Sequence, residues 1–595
     1  MLRYRQTDLD QMEFEQKAEE KKMSMSKNIA RLAVTAGLTA ALSFGGVMAP
    51  VTMAFAAEGA TATANGSVKI ANVKDNHTEF YGYQIFTADV KDGKVSNITW
   101  ANEEVEAAVK SVIKTVEPSY AVTTAQDAAD WITNQVKGTS DTFRVGPDNV
   151  AYKIAAAVDN LTEQKTTTNG VASGLEHGYW LFVTKADTIG DGEAGTSPIF
   201  TVVGDTPVEV NEKTGIPTVE KKIVSDADGK EHDAADSQIG QNVTYNLYGT
   251  IAENYDKYGT YFYEFSDQIS KGLTLQKNSA KVYLYASYTA AKADSNHENN
   301  TATDITNAFT EASSNADPSD GSVKTTWTRD NLKTIPDVTI TKDSCIVVSY
   351  TAQINSHAVV GKNDSGKGNP NTVTLCYSNN PMTTERGKTV PDTVRDYTYG
   401  LKINKVDLGT EKALKGAKFT ITTNGDENGA VKYVKDDGTL SADRVELTTD
   451  NNGVLKLKGL DAGLYTVKEV TPPPSGYTAI DQFTFEIKPT MKDNDPNAGL
   501  IGLTHDLDTN NQAGKVIAGL TDGNAGDNTL TAVDDSEIDD EGYYNITVGD
   551  TKQVGLPLTG LNGVTFTWIA GGAVLCIGVA HLIRSRKQAE ESEQE

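Results

Sequence analysis

Short runs in which apolar and polar residues take turns dominate this chain. "TEFYGYQIFTADV" from Thr78, "NVTYNLYGTI" from Asn242, "YGTYFYEFSD" from Tyr258 and "YYNITVGDTK" from Tyr543 are examples. A period of two sends successive side chains to opposite faces of an extended strand. The runs are rich in Val, Ile, Tyr and Thr, which suit a pleated, half-buried surface. Gly, Asn and Asp separate them, so the strands are expected to fold back on one another. One stretch has a different period: "AQDAADWITNQVKG" from Ala125 spaces its apolar residues for a helix.

The runs fall into three modules: 57–214, 215–396 and 397–552. The first two meet at the short linker "NEKTGIP". The second adds "PTVEKKIV", "CIVVSYTAQI" and "NTVTLCYSNN" to the strands already quoted. The third opens with "YGLKINKVDLGTEKALKGAKFTITT". Many short strands at close spacing predict a mainly β fold of three tandem immunoglobulin-like sandwiches. Residues 286–337 are polar, Asn-rich and weakly periodic, and are expected to form a long surface insertion.

Both ends read differently. Residues 1–56 have the pattern of a secretory signal peptide: Lys27 and Arg31, an apolar stretch, then Ala54-Phe55-Ala56 as a small-x-small cleavage site. The polar leader before Met23 is either an extended basic region or a misassigned start. Near the other end, residues 564–583 form an apolar span of about 20 residues, enough to cross a bilayer as a helix. Arg584, Arg586 and Lys587 follow it, which fits the bias of basic residues toward the cytoplasmic side.

The 595 residues carry a formal net charge of −27. No basic stripe is available to displace counterions from phosphates, which argues against a nucleic-acid partner. Three Cys and seven His leave little material for metal or thiol chemistry. Cys345 and Cys376 are either a disulfide or two separate thiols. The Asp-rich loops lack the Gly and terminal Glu of a calcium-binding hand. No HExxH or GxSxG motif occurs, so an enzyme is not expected and no cofactor is implied.

Alternation also places ionisable groups where apolar ones belong. Leu401, Ile403 and Lys405 share a strand face, as do Tyr465, Val467 and Glu469, and Ile546, Val548 and Asp550. In the second module Val219, Lys221 and Ile223 share a face, which favours Lys221 over Lys222. Asn371 lines up with Val373 and Leu375. An uncompensated buried charge costs several kcal/mol, so such groups must pair, neutralise or react. From pattern alone they are equally well strand-end residues reaching solvent, or buried ion pairs.

Several motifs resemble those of the sortase-assembled backbone pilins of Gram-positive bacteria. Leu556-Pro557-Leu558-Thr559-Gly560, the apolar span and the basic tail resemble the LPxTG sorting signal, 553–595. That implies cleavage by a sortase between Thr559 and Gly560, with the Thr559 carbonyl held as a thioester. "GLYTVKEVTPPPSGY" resembles the E-box of these pilins, with Glu469 in the place of the key glutamate and Val470 where a Thr is usual. "INKVDLGTEKALKGAKFTI" resembles the opening strands of a collagen-adhesin B-type domain, whose lysine (here Lys405) forms an intramolecular isopeptide bond. The usual acceptor is an Asn on the last strand. This chain has Asp550 there, with Asn545 as the second candidate. The second module resembles the middle domain of the same pilins, which implies Lys221, Asp267 as promoting acid, and Asn371 or Asn379 as acceptor. "TPVEVNEKTGIP" resembles the pilin motif, although the usual Tyr-Pro is absent, and Lys213 matches its lysine.

The resemblance implies a structural subunit, the shaft-forming pilin of a covalent surface fibre on a Gram-positive cell wall. Its partners would be a class C sortase, identical subunits, minor pilins, peptidoglycan through a housekeeping sortase, and a host receptor. A wall-anchored adhesin or a basal or tip pilin is the alternative. The pilin lysine, Lys213, is the feature that separates the two.

Overall fold

The computed structural model describes residues 64–552 apart from 72–75, 92–93, 138–148, 160, 163, 213, 300, 363–366, 411, 424–429, 494–498, 525–528 and 533–537. The signal segment, the Leu556–Gly560 pentapeptide, the span 564–583 and Lys213 therefore lie outside the described residues. Among the described residues, no helix is long and apolar enough to cross a membrane. The fold is mainly β, built from several sheets.

The first group of elements comprises β1 (Ala64–Ala71), β2 (Phe80–Lys91), β3 (Lys94–Trp100), α1 (Glu103–Val116), α2 (Ala125–Lys137), α3 (Val150–Val158), β4 (Val171–Glu176), β5 (Gly178–Thr184), β6 (Ile199–Val203) and β7 (Val208–Asn211). One sheet runs β4-β1-β7 and the other β3-β2-β5-β6. Strand β5, "GYWLFVT", is buried at every residue. Tyr179, Leu181 and Val183 pack with the helices, while Trp180 and Phe182 pack against Val68 and Ile70 of β1. A strand covered on both faces reads as a continuous apolar run. The expected helix is α2; α1 and α3 join it on the larger sheet. This group is thus a pair of sheets with a helical layer, not a bare sandwich.

The second group contains β8 (Val219–Val224), β9 (Asn242–Thr250), β10 (Tyr263–Ile269), β11 (Lys281–Tyr285), β12 (Val323–Arg329), β13 (Cys345–Ile354), β14 (Asn369–Ser378) and β15 (Asp392–Tyr397). One sheet carries the order β8-β9-β13-β11 and the facing sheet β15-β14-β10-β12. Between them lie Tyr245, Leu247, Phe265, Val348, Val373 and Leu375. Residues 286–337 are not simply a surface insertion. Their last strand, β12, pairs with β10 in the register Phe265↔Trp327, and Trp327 enters the core. Cys345 and Cys376 are free thiols, on strands of opposite sheets.

The third group holds β16 (Tyr399–Asp407), β17 (Lys418–Thr423), β18 (Val454–Leu460), β19 (Gly463–Thr471), β20 (Phe483–Lys492), β21 (Gly499–Asp508), β22 (Val516–Ala518) and β23 (Tyr543–Lys552). The order β18-β16-β23 faces β17-β19-β20-β21. Leu401, Ile403, Phe419, Val467, Phe485, Ile546 and Val548 fill the space between. The first and last strands, β16 and β23, lie side by side and parallel, from Gly400↔Tyr543 to Asp407↔Asp550.

The second and third groups touch. Gln238 Nε2 donates to Gly459 O at 2.7 Å, and the Ile239 amide donates to the same oxygen at 2.9 Å. Gly459 has φ +87°, and a Cβ there would collide with the Ile239 side chain. Only glycine meets both demands without strain.

Candidate functional site

Two buried lysines each face a carboxylate. In the second group, alternation along β8 turns Lys221 into the sandwich, where it is fully buried. Its neighbour Lys222 points the other way and pairs with Asp233 at 2.5 Å and Glu220 at 3.2 Å. From the facing sheet, β10 presents Asp267 in line with Phe265 and Ile269, and β14 presents Asn371 two residues before Val373. Lys221 Nζ lies 2.5 Å from Asp267 Oδ1. It also donates to the Tyr350 hydroxyl at 3.0 Å.

Tyr350, on β13, ties the group together. Its hydroxyl donates to Asp267 Oδ2 at 2.5 Å and accepts from Asn371 Nδ2 at 2.6 Å. Sequence reasoning missed this residue. The signal was present, since alternation in "CIVVSYTAQI" puts Tyr350 in line with Ile346 and Val348, but a tyrosine among apolar residues reads as core. Asn379 is not part of the group: it lies just past the end of β14, eight residues beyond Asn371, with its side chain against Gly387.

Burial lowers the Lys221 pKa to about 8, with Asp267 acting in the opposite sense. Burial also raises Asp267, while Lys221 and Tyr350 pull it down. A desolvated amine next to a carboxyl that resists ionisation is a nucleophile held near its free-base form.

In the third group Lys405 comes from β16, Glu469 from β19 on the opposite sheet, and Asp550 from β23 beside it. All three are buried. Lys405 Nζ is 2.9 Å from Glu469 Oε2 and in direct contact with Asp550 Oδ1. Glu469 Oε2 also accepts from the Ile480 amide at 2.9 Å, which fixes the carboxyl. Burial pushes Asp550 up to about 7; Lys405 lowers it and Glu469 raises it further. Asn545 is not brought to Lys405. Its register partner is Lys402, and its side chain meets Asn404 and the Tyr543 carbonyl. It faces away from the lysine as alternation indicates, yet it is buried rather than solvent-facing.

Among the described residues, Asn371 Oδ1, Asp550 Oδ2 and Glu469 Oε1 are buried without a hydrogen-bond partner. An orphaned buried oxygen costs about 1–3 kcal/mol. Oδ1 of Asn379 and several other buried oxygens share this condition, so it does not by itself single out the acceptors. Chemically, each group sets an amine against an amide or acid in a site closed to water.

Residues 400–501 match the family described as SpaA, prealbumin-like fold domain. That stretch begins in β16 and ends in β21, so it takes in Lys405 and Glu469 but not Asp550. The chain is also similar to several solved structures. The T6 backbone pilin of serotype M6 Streptococcus pyogenes is 16% identical, covering 82% of this chain and 98% of its own, with a TM-score of 0.45. The major pilin SpaD from Corynebacterium diphtheriae is 17% identical, covering 82% and 98%, at 0.42. BcpA, the major pilin subunit of Bacillus cereus, is 15% identical, covering 82% and 99%, at 0.33. No curated protein matches the chain.

Proposed function

We propose that this chain is the shaft subunit of a covalent pilus on a Gram-positive surface, a structural protein and not an enzyme that turns over. The observation that carries this reading is the pair of buried lysine-centred groups, each set on the opening strand of a sandwich with an acid and an acceptor around it. Lys405 touches Asp550 directly and Lys221 reaches Asn371 through the Tyr350 hydroxyl, and such proximity supplies much of what amide formation needs. Lys221 would attack Asn371 and expel ammonia, and Lys405 would attack Asp550 and expel water, with Asp267 and Glu469 as the promoting acids.

The domains would run 57–214, 215–396 and 397–552, behind a signal peptide at 1–56 and ahead of the sorting signal at 553–595. A class C sortase would cleave after Thr559 and pass the acyl group to Lys213 of the next subunit. Growth would end by transfer to peptidoglycan through a housekeeping sortase. Minor pilins and a host receptor would be the remaining partners, and adhesion the role of the finished fibre.

The test is a Lys213→Arg chain in cells that make the polymer. SDS-resistant ladders should vanish while the monomer is still exported. Undiminished ladders would defeat the shaft assignment and leave a wall-anchored adhesin or minor pilin.

A further inference from the structure

The tyrosine hydroxyl at the centre of the second group has no assigned role. Tyr350 is held from both sides, with its ring stacked on Trp327 at 5.2 Å and on Tyr245 at 5.4 Å between centroids. The hydroxyl of Tyr245 is turned elsewhere, to Asp396 Oδ2 at 3.2 Å. Among the described residues, only the Tyr350 oxygen reaches Lys221 Nζ, Asn371 Nδ2 and Asp267 Oδ2 together, at 3.0, 2.6 and 2.5 Å. Those three atoms are the attacking nitrogen, the leaving nitrogen and an oxygen of the promoting acid. The clamped ring fixes the hydroxyl among them in a fully buried site, with no solvent to take its place.

We infer that Tyr350 is a catalytic residue of the Lys221–Asn371 joining reaction and relays the proton that turns the amide nitrogen into ammonia. This rests on the function proposed above. With Asp267 protonated, the neutral Lys221 amine bonds to Cγ of Asn371. The Cγ–Nδ2 bond then breaks as Tyr350 gives its hydroxyl proton to Nδ2 and recovers one from Asp267, which takes back a proton from the now cationic Nζ. Ammonia leaves, a secondary amide joins the two side chains, and Asp267 and Tyr350 end as they began. An amide nitrogen is a poor leaving group until it is protonated, and Asp267 is already engaged with the amine through Oδ1. A second proton carrier therefore relieves a conflict that one carboxyl cannot resolve. The third group shows the converse: its acceptor is an acid that brings its own proton, and among the described residues no tyrosine hydroxyl contacts Lys405 Nζ.

Tyr350→Phe keeps the stacked ring and removes only the relay. In the full chain with its own leader, cross-linked peptides are followed by mass spectrometry after a pulse of synthesis. The Lys221–Asn371 peptide should form at least about 100-fold more slowly than in the wild type, the lower end of what positioned acid–base catalysis contributes. The Lys405–Asp550 peptide of the same molecule should form at its usual rate, which shows that the chain has folded. Formation of both at wild-type rates would overturn the inference and leave the proposed function standing. A wild-type chain without the Lys221–Asn371 peptide would instead remove the function reading and this step with it. If the phenylalanine chain does not fold, fluorotyrosine placed at 350 decides, because it keeps shape and hydroxyl but is a stronger acid. A shifted pH dependence of joining supports the relay, and an unshifted one excludes it.

Discussion

Lys221 and Lys405 sit in similar burial but face different acceptors, and this sets opposite pH dependences. A lysine whose pKa is lowered to about 8 gains free amine as pH rises through that value. Joining of Lys221 to Asn371 should therefore accelerate between about pH 6 and 8. Asp550, raised to about 7, keeps a departing hydroxyl only below that pH. Joining of Lys405 to Asp550 should therefore slow as pH climbs past about 7. Refolding at stepped pH, with both cross-linked peptides quantified from one sample, checks the two signs together; parallel profiles would contradict the assigned acceptors. At the same scale, Glu469→Ala should leave the third group unjoined and the chain about 18 Da heavier, the mass of the water retained. Asp267→Ala should do the same in the second group by about 17 Da of ammonia. Each mass is compared with that of a chain carrying the same substitution but with its lysine changed to arginine.

For the strands, the energetic consequence is loop closure. Lys405 and Asp550 are 145 residues apart, and Lys221 and Asn371 about 150. By the reasoning applied to disulfides, each link should contribute on the order of 4 kcal/mol. Asn371→Ala should lower the melting temperature of the second group by roughly 10 °C, read by calorimetry. The strands that bear these residues were legible in the sequence. Alternation singled out Lys221 over Lys222 and aligned Lys405, Glu469 and Asp550 with apolar neighbours, because in a sandwich a period of two fixes which face is inward. It gave less where a strand has partners on both faces. Alternation turns Asn545 away from Lys405 but does not reveal that it is buried. Strand β12 escaped notice because buried Thr325 reads as polar, and the role of Tyr350 exists only once the two sheets are stacked. Of the helices, only α2 was read from the sequence; α1 was missed although Val105, Val109, Val112 and Ile113 carry an equally clear helical spacing behind the Asn102 cap.

Across the whole molecule, the second and third groups meet through several contacts, among them His232 with Asp493, Lys458 with the Ser356 carbonyl, and Ala234 in the third group's core. Ile239 lies against Gly459, and Gln238 reaches the backbone of the same turn. Gly459→Val would combine a β-branched side chain at positive φ with a collision against Ile239, at a cost of roughly 1–3 kcal/mol from the backbone alone. It should loosen this contact and raise the proteolysis of residues 238–240, while both cross-linked peptides still form. Loss of the peptides would mean that the contact helps the groups fold, not merely dock.

The parallel pairing of β16 with β23 has its own consequence when a fibre is stretched. A pull on the residue before Tyr399 and the one after Lys552 slides these two strands along each other instead of peeling them apart. Every rung of the ladder is then loaded at once, so the pair resists rupture in shear even before any side chain has reacted. Once Lys405 and Asp550 are joined, the strain would run along β16, across one amide and out through the last turn of chain. The 144 residues between the joined pair would bear none of it, leaving their loops free to vary in sequence without weakening the strut.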